Sequence, residues 1–133
     1  KEAGLTLCSG GIFGLGESSE DRASFIQSIK ELSPSTMPLN FYHPNPALPL
    51  KAKPLSEEEA LAIITEVKLH LPQTMLMVAG GREITFKNRQ CDIFKAGADA
   101  IVIGDYLTTK GQPPTKDLEM IESLGYEIAK SCH

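Results

Sequence analysis

Leu5-Thr6-Leu7-Cys8-Ser9-Gly10-Gly11-Ile12-Phe13-Gly14-Leu15-Gly16-Glu17 runs directly into Ser18-Ser19-Glu20-Asp21, and the reading of this junction decides the fold. Leu5 to Cys8 predicts a strand, ended by Ser9-Gly10-Gly11. Ser18 to Leu32 predicts a helix, because Phe25, Ile26, Ile29 and Leu32 fall on one face. Ser18 and Asp21 have the spacing of a capping box at its start. A strand, a glycine-rich turn and an amphipathic helix make one βα unit.

The unit repeats along the chain. Leu39 to Tyr42 predicts a second strand, followed by a loop carrying Pro44, Pro46, Pro49 and Pro54 that suits neither regular element. Ser56 and Glu59 form the next capping box, opening a helix that buries Leu61, Ile64 and Val67 and stops at Pro72. Met75 to Ala79 predicts a third strand. A helix from about Phe86 to Ala96 is expected to end on Gly97 as a left-handed cap. Ala100 to Gly104 predicts a fourth strand, and Asp117 to Lys130 the last helical turns. Strands alternating with helices imply a parallel sheet. Without a Rossmann dinucleotide signature, the pattern predicts an α/β fold: the C-terminal half of a (βα)8 TIM-type barrel, four parallel βα units over residues 1–133. The two rich loops, Ser9–Glu17 and His43–Leu55, would then lie at the rim where barrels place their chemistry. Lys1-Glu2-Ala3-Gly4 parallels Lys95-Ala96-Gly97-Ala98, each reading as a helix end turning into a strand. The chain is therefore expected to begin partway through a barrel, as a fragment or truncated product with open strand edges.

Composition narrows the function classes. A formal net charge of −4 argues against a nucleic-acid backbone or an anionic membrane as main partner. No apolar run approaches the roughly 20 residues that span a bilayer, and the N-terminus has no secretion-signal stretch. The expected compartment is the cytoplasm. The cysteines Cys8, Cys91 and Cys132 are odd in number and lack CxxC spacing. They make neither a disulfide framework nor a self-contained zinc site.

Several residues invite chemistry, each with a plainer reading beside it. Gly10, Gly11, Gly14 and Gly16 allow a loop to approach an adenine or ribose closely, or serve only a tight βα turn. Cys8 is either a small buried hydrophobe or a thiolate ligand aimed into the barrel mouth, needing partners from outside the chain. Cys91 reads as packing and Cys132 as uninvolved. Asn40 alternates with Leu39 and Phe41, so it points inward as a satisfied core amide or a ligand contact. Gly80-Gly81-Arg82-Glu83 is a turn with a surface ion pair of little energetic weight, or an arginine reaching a carboxylate. His43 and His70 lack metal spacing. Glu57-Glu58-Glu59 suits a first helical turn.

Together Cys8 to Glu17, Pro38-Leu39-Asn40, Ala79 to Glu83, Ala96 to Asp105 and Leu107-Thr108-Thr109 resemble the biotin synthase family of the radical S-adenosylmethionine superfamily, from Gly4 to about Ala129. Residues from about 38 to 130 resemble its biotin and thiamin synthesis associated domain. The resemblance implies a sulfurtransferase that converts dethiobiotin to biotin by sulfur insertion from an auxiliary iron–sulfur cluster, after reductive cleavage of S-adenosylmethionine. It implies Cys8 as a metal ligand of the auxiliary cluster. It places Gly10, Ile12, Gly14 and Glu17 near the adenosyl group and Asn40 against dethiobiotin, and it implies a homodimer. The CxxxCxxC motif for the radical-generating four-iron cluster is absent, so that cluster and the other auxiliary ligands are expected from a missing N-terminal half. The chain alone is expected to be inactive. Met77 stands where many relatives place an arginine ligand of the auxiliary cluster. The alternative is a stand-alone half-barrel that binds an adenine nucleotide or phosphate without catalysis. A non-functional fragment that associates through its edges is a third reading.

Overall fold

A computed structural model describes residues 3–130. The order is β1 (Gly11–Phe13), α1 (Ser19–Leu32), β2 (Thr36–Phe41), α2 (Glu57–His70), β3 (Met75–Val78), α3 (Arg82–Phe86), a 3-10 turn (Lys87–Arg89), α4 (Asp92–Lys95), β4 (Ala100–Ile101) and α5 (Pro114–Ser123). The chain divides into two compact units, one ending at Val102 and the other beginning at Ile103. Lys1, Glu2 and Cys132 lie outside the described residues.

The first unit holds one four-stranded sheet in the order β1-β2-β3-β4, every neighbouring pair parallel. Sequential parallel order is barrel topology, and the described helices of this unit pack on one side of the sheet. In β2, Met37, Leu39 and Phe41 are buried while Thr36, Pro38 and Asn40 are half-buried. In β3, Leu76 and Val78 are buried while Met75 and Met77 are not. The buried set joins Ile26 and Ile29 of α1, Ala60, Ile63, Ile64 and Val67 of α2, Phe86 and Ile93 in one core. On the opposite face Ile12 is 54% exposed. This is an α/β half-barrel of the TIM type.

The two long helices form where their caps require. Ser18 and Asp21, and likewise Ser56 and Glu59, exchange side-chain and main-chain bonds in complete capping boxes, each worth on the order of 1 kcal/mol. Leu32, expected on the buried face of α1, is exposed because the helix ends there on left-handed Ser33.

The first strand departs from expectation. Leu5 is 74% exposed, and Cys8 makes only an isolated bridge to Thr36. The strand proper begins three residues later, at Gly11. Ser9 N–H donates to the Thr36 carbonyl at 3.1 Å, and Tyr42 N–H to that of Phe13 at 2.8 Å. In that register the bond following Ser9's would come from residue 38, which is proline and has no N–H. The ladder therefore lapses over Ser9-Gly10 and resumes at Gly11. Proline in an interior strand is tolerated here because the break falls opposite glycine: a Cβ on Gly10 would lie 2.0 Å from the Pro38 carbonyl oxygen. The expected helix over 86–96 is also replaced, by α3, the 3-10 turn and α4, starting at Arg82. The fourth strand covers only Ala100–Ile101.

The second unit carries α5, opened by Pro114 in its first turn. Tyr106 N–H bonds the Thr109 carbonyl, and the Gln112 amide bonds the Asp117 carboxylate.

Gly10→Ala is expected to lower unfolding free energy by about 2–3 kcal/mol through overpacking against β2. Gly16→Ala, with open space around it but a φ of +101°, is expected to cost only about 1 kcal/mol. Urea denaturation midpoints of the two variants check the order; equal losses would contradict the register.

Candidate functional site

The candidate residues lie on the bare face of the sheet and at the C-terminal end of β1. Cα pairing aligns Ile12 with Asn40, Pro38 with Met77, and Thr36 with Met75, while Cys8 pairs with Thr36. Paired residues of neighbouring strands share a face and alternate residues repeat it. Cys8, Ile12, Thr36, Pro38, Asn40, Met75 and Met77 therefore belong to the same uncovered surface. Cys8 is exposed. It is not at the strand's far end, where the expected Leu5–Cys8 strand would put it. It enters the sheet four residues before Ile12, about 13 Å back along the strand direction at roughly 3.3 Å per residue. The structure brings Ile12 and Asn40 side by side and leaves Cys8 deeper on the same face.

Asn40 bridges both neighbouring strands. Its Nδ2 donates to the Gly11 carbonyl at 3.2 Å, and its Oδ1 accepts from the Gly80 N–H at 2.9 Å. One N–H and one oxygen lone pair remain uncommitted by these two bonds.

Glu17 closes the glycine loop. Its carboxylate accepts from the Gly14 N–H at 2.8 Å and the Leu15 N–H at 2.7 Å, and pairs with Arg22 Nε at 3.1 Å. Burial works against the charged form, but the Gly14 bond, the other main-chain bonds and Arg22 outweigh it and hold the carboxyl below its ordinary range. A cleft of about 170 Å³ is lined by Ile12, Phe13, Glu17, Asp21, Arg22 and Phe25. The larger hollow, about 520 Å³ beside Tyr42, Pro54, Leu55, Glu57, Ile84 and Lys87, contains none of the candidate residues.

The glycines have reasons internal to the chain. Gly10 accommodates the Pro38 carbonyl, and Gly14 has a φ of +90°. Ile12 is the member of the glycine pattern that offers an open side chain.

Arg82, offered by the sequence as half of a surface pair or as an arginine reaching a carboxylate, keeps Glu83 at 3.4 Å but does not lie at the surface. It is fully buried, bonded to the Gln90 side chain and to the Val102 carbonyl at 3.2 Å. The Gly80-Gly81 pair just before it was the signal: a Cβ on Gly81 would lie 2.1 Å from the Phe41 carbonyl oxygen, so the turn is pressed onto β2. Met75, in the same row as Cys8 and Thr36, was not singled out from sequence. Cys91 is half-buried beside Asp92, and His70 bonds the Glu66 carbonyl.

Among the described residues no group of three or more His, Cys, Asp or Glu side chains could hold a metal ion. Cys8 fits as one thiolate ligand on an open face, and a cluster there would need its other ligands from outside these residues. No helix of the described residues is long and apolar enough to cross a membrane.

A model of the biotin and thiamin synthesis associated domain matches residues 38–127. The chain belongs to that family. Its matched segment starts within β2, just ahead of Asn40, and runs past α5. Over the whole chain it is similar to curated proteins named biotin synthase: 53% identical to that of Aliarcobacter butzleri, 55% to that of a Nitratiruptor species and 56% to that of Campylobacter lari. The chain spans about half the length of these relatives, 47–48%. The likenesses run to a family of enzymes and do not favour a stand-alone binding half-barrel.

The Glu17 carboxylate, with its lowered pKa, stabilises the loop above the unfolded-state value of about 4.3. That stabilisation is lost as pH falls through the lower folded-state value. Glu17→Gln is expected to cost about 2 kcal/mol at pH 7, from charge-assisted bonds lost. The gap to the parent protein should shrink towards pH 3. Chemical denaturation across pH checks it; a gap independent of pH would contradict the charged reading.

Proposed function

We propose that this chain is the C-terminal part of a biotin synthase, contributing one wall of an active site that inserts sulfur into dethiobiotin. The observation that carries the reading is the shared open face: an exposed thiol, an open isoleucine and a bridged asparagine lie on the side of the sheet opposite the core formed with α1 and α2. The likeness to biotin synthases over the full chain supports it.

On this reading Cys8 is one ligand of the auxiliary iron–sulfur cluster. Gly10, Ile12, Gly14 and Glu17 lie near the adenosyl group of S-adenosylmethionine, with Glu17 holding the loop from behind. Asn40 offers its remaining donor and acceptor to dethiobiotin. The four-iron cluster and the remaining auxiliary ligands come from an N-terminal half, which also covers the bare face and excludes water from the reactants. When bound, the clusters supply the radical chemistry and the inserted sulfur. The chain alone is inactive, and the complete enzyme is a cytoplasmic homodimer.

Co-expression with the N-terminal half of a close relative, followed by anaerobic reconstitution, tests the proposal. Iron–sulfur absorbance should exceed that of the N-terminal half alone, and Cys8→Ala should remove part of the excess while leaving the assembly intact by size. Absorbance unchanged by adding this chain would overturn the reading.

A further inference from the structure

Arg82 is a charged residue with no exposed surface and no role in the reading above. A buried guanidinium is costly unless its donors are met. Here Nη1 meets the Gln90 side chain, while Nη2 donates to the Val102 carbonyl at 3.2 Å and lies 3.4 Å from Glu83. One planar fork thus ties the start of α3 to the segment before α4 and to the residue that follows β4.

The residues just ahead of Arg82 form the turn that holds Asn40. Gly80 receives the Phe41 N–H on its carbonyl at 2.8 Å and donates its own N–H to Asn40 Oδ1 at 2.9 Å. Gly81, at a φ of +79°, lies flat on the Phe41 carbonyl. A Cβ on Gly80 would come within 3.0 Å of Asn40 Oδ1, so the turn and the amide are in direct contact. The opposite amide orientation would set NH2 against the Gly80 N–H and oxygen against the Gly11 carbonyl. Two repulsive contacts would replace two bonds.

We propose that Arg82 is a positioning residue for Asn40. By fixing the Gly80-Gly81 turn, it locks the amide with Oδ1 towards β3 and Nδ2 towards β1, and so sets which donor and acceptor the open face presents. The link to substrate rests on the proposed dethiobiotin contact of Asn40; the lock itself does not. Lysine retains the charge but not the fork that reaches Gln90 and Val102 together.

The test uses the enzyme assembled from both halves, with Arg82→Lys, Asn40→Ala and the double variant. Arg82→Lys should raise KM for dethiobiotin about tenfold with kcat within about twofold, and in the Asn40→Ala background it should add no more than about twofold. Additive effects on KM would overturn the proposal, leaving Arg82 a fold-stabilising residue only. Should Asn40→Ala leave KM unchanged, the substrate reading of Asn40 fails. The lock is then judged on the iron-free assembly by the side-chain NH2 resonances of Asn40, which Arg82→Lys should shift or broaden. Resonances that do not move would overturn it. If the lysine variant does not fold, Gln90→Ala removes one partner of the fork and should shift the same resonances; no shift counts against the proposal equally.

Discussion

A parallel sheet is ordinarily buried on both faces, because its crossover helices and its neighbours cover both. Here α1, α2 and the segments around Phe86 and Ile93 seal one face into the core, while the other carries Ile12 at 54% exposure. That imbalance governs the rest of the molecule. Together with the sequential strand order it gives the sheet the form of half a barrel, it leaves Cys8, Ile12 and Asn40 on one surface, and it gives the Asn40 amide a side open to a ligand. Leaving about half of an apolar side chain such as Ile12 in water forgoes on the order of 1 kcal/mol, which a covering partner would recover.

The second constraint is the fit between β2 and its neighbours. Pro38 removes one ladder bond, and Gly10 lets β1 approach at that point. Two residues further on, Asn40 supplies side-chain bonds to both sides, to Gly11 and Gly80. The sheet is thus weakest in main-chain bonding just before it is cross-linked by an amide. The same glycines that read as a ligand loop are required by the chain's own backbone. A structural role and the proposed ligand-facing one coincide in one short segment.

Much of this was legible from residues alone. Ser18 with Asp21 and Ser56 with Glu59 located both long helices, since capping is local chemistry. The alternation of Asn40 with Leu39 and Phe41 placed the amide on the face opposite theirs, as in the structure. Less legible were features settled by neighbours distant in sequence. The run Leu5 to Cys8 has strand composition, and Leu7 and Ser9 do bond across to Ser35 and Thr36, but continuous pairing with β2 starts only at Gly11, because Pro38 interrupts the ladder between them. The helix expected from Phe86 breaks into short turns around Lys87, whose φ is +46°. The burial of Arg82 was not legible, because its partners Gln90 and Val102 give no sign in sequence that they will surround it.

The central claim is that Cys8 stands on an open sheet face that another half of the protein closes. Its alkylation rate, followed by peptide-resolved mass spectrometry, tests this most directly. In this chain Cys8 should react with iodoacetamide at close to the rate of a free thiol and faster than half-buried Cys91. On assembly with an N-terminal half, Cys8 should become at least about tenfold slower while Cys91 is unchanged. A Cys8 that reacts slowly in the chain alone, or whose rate assembly leaves unaltered, would contradict the account.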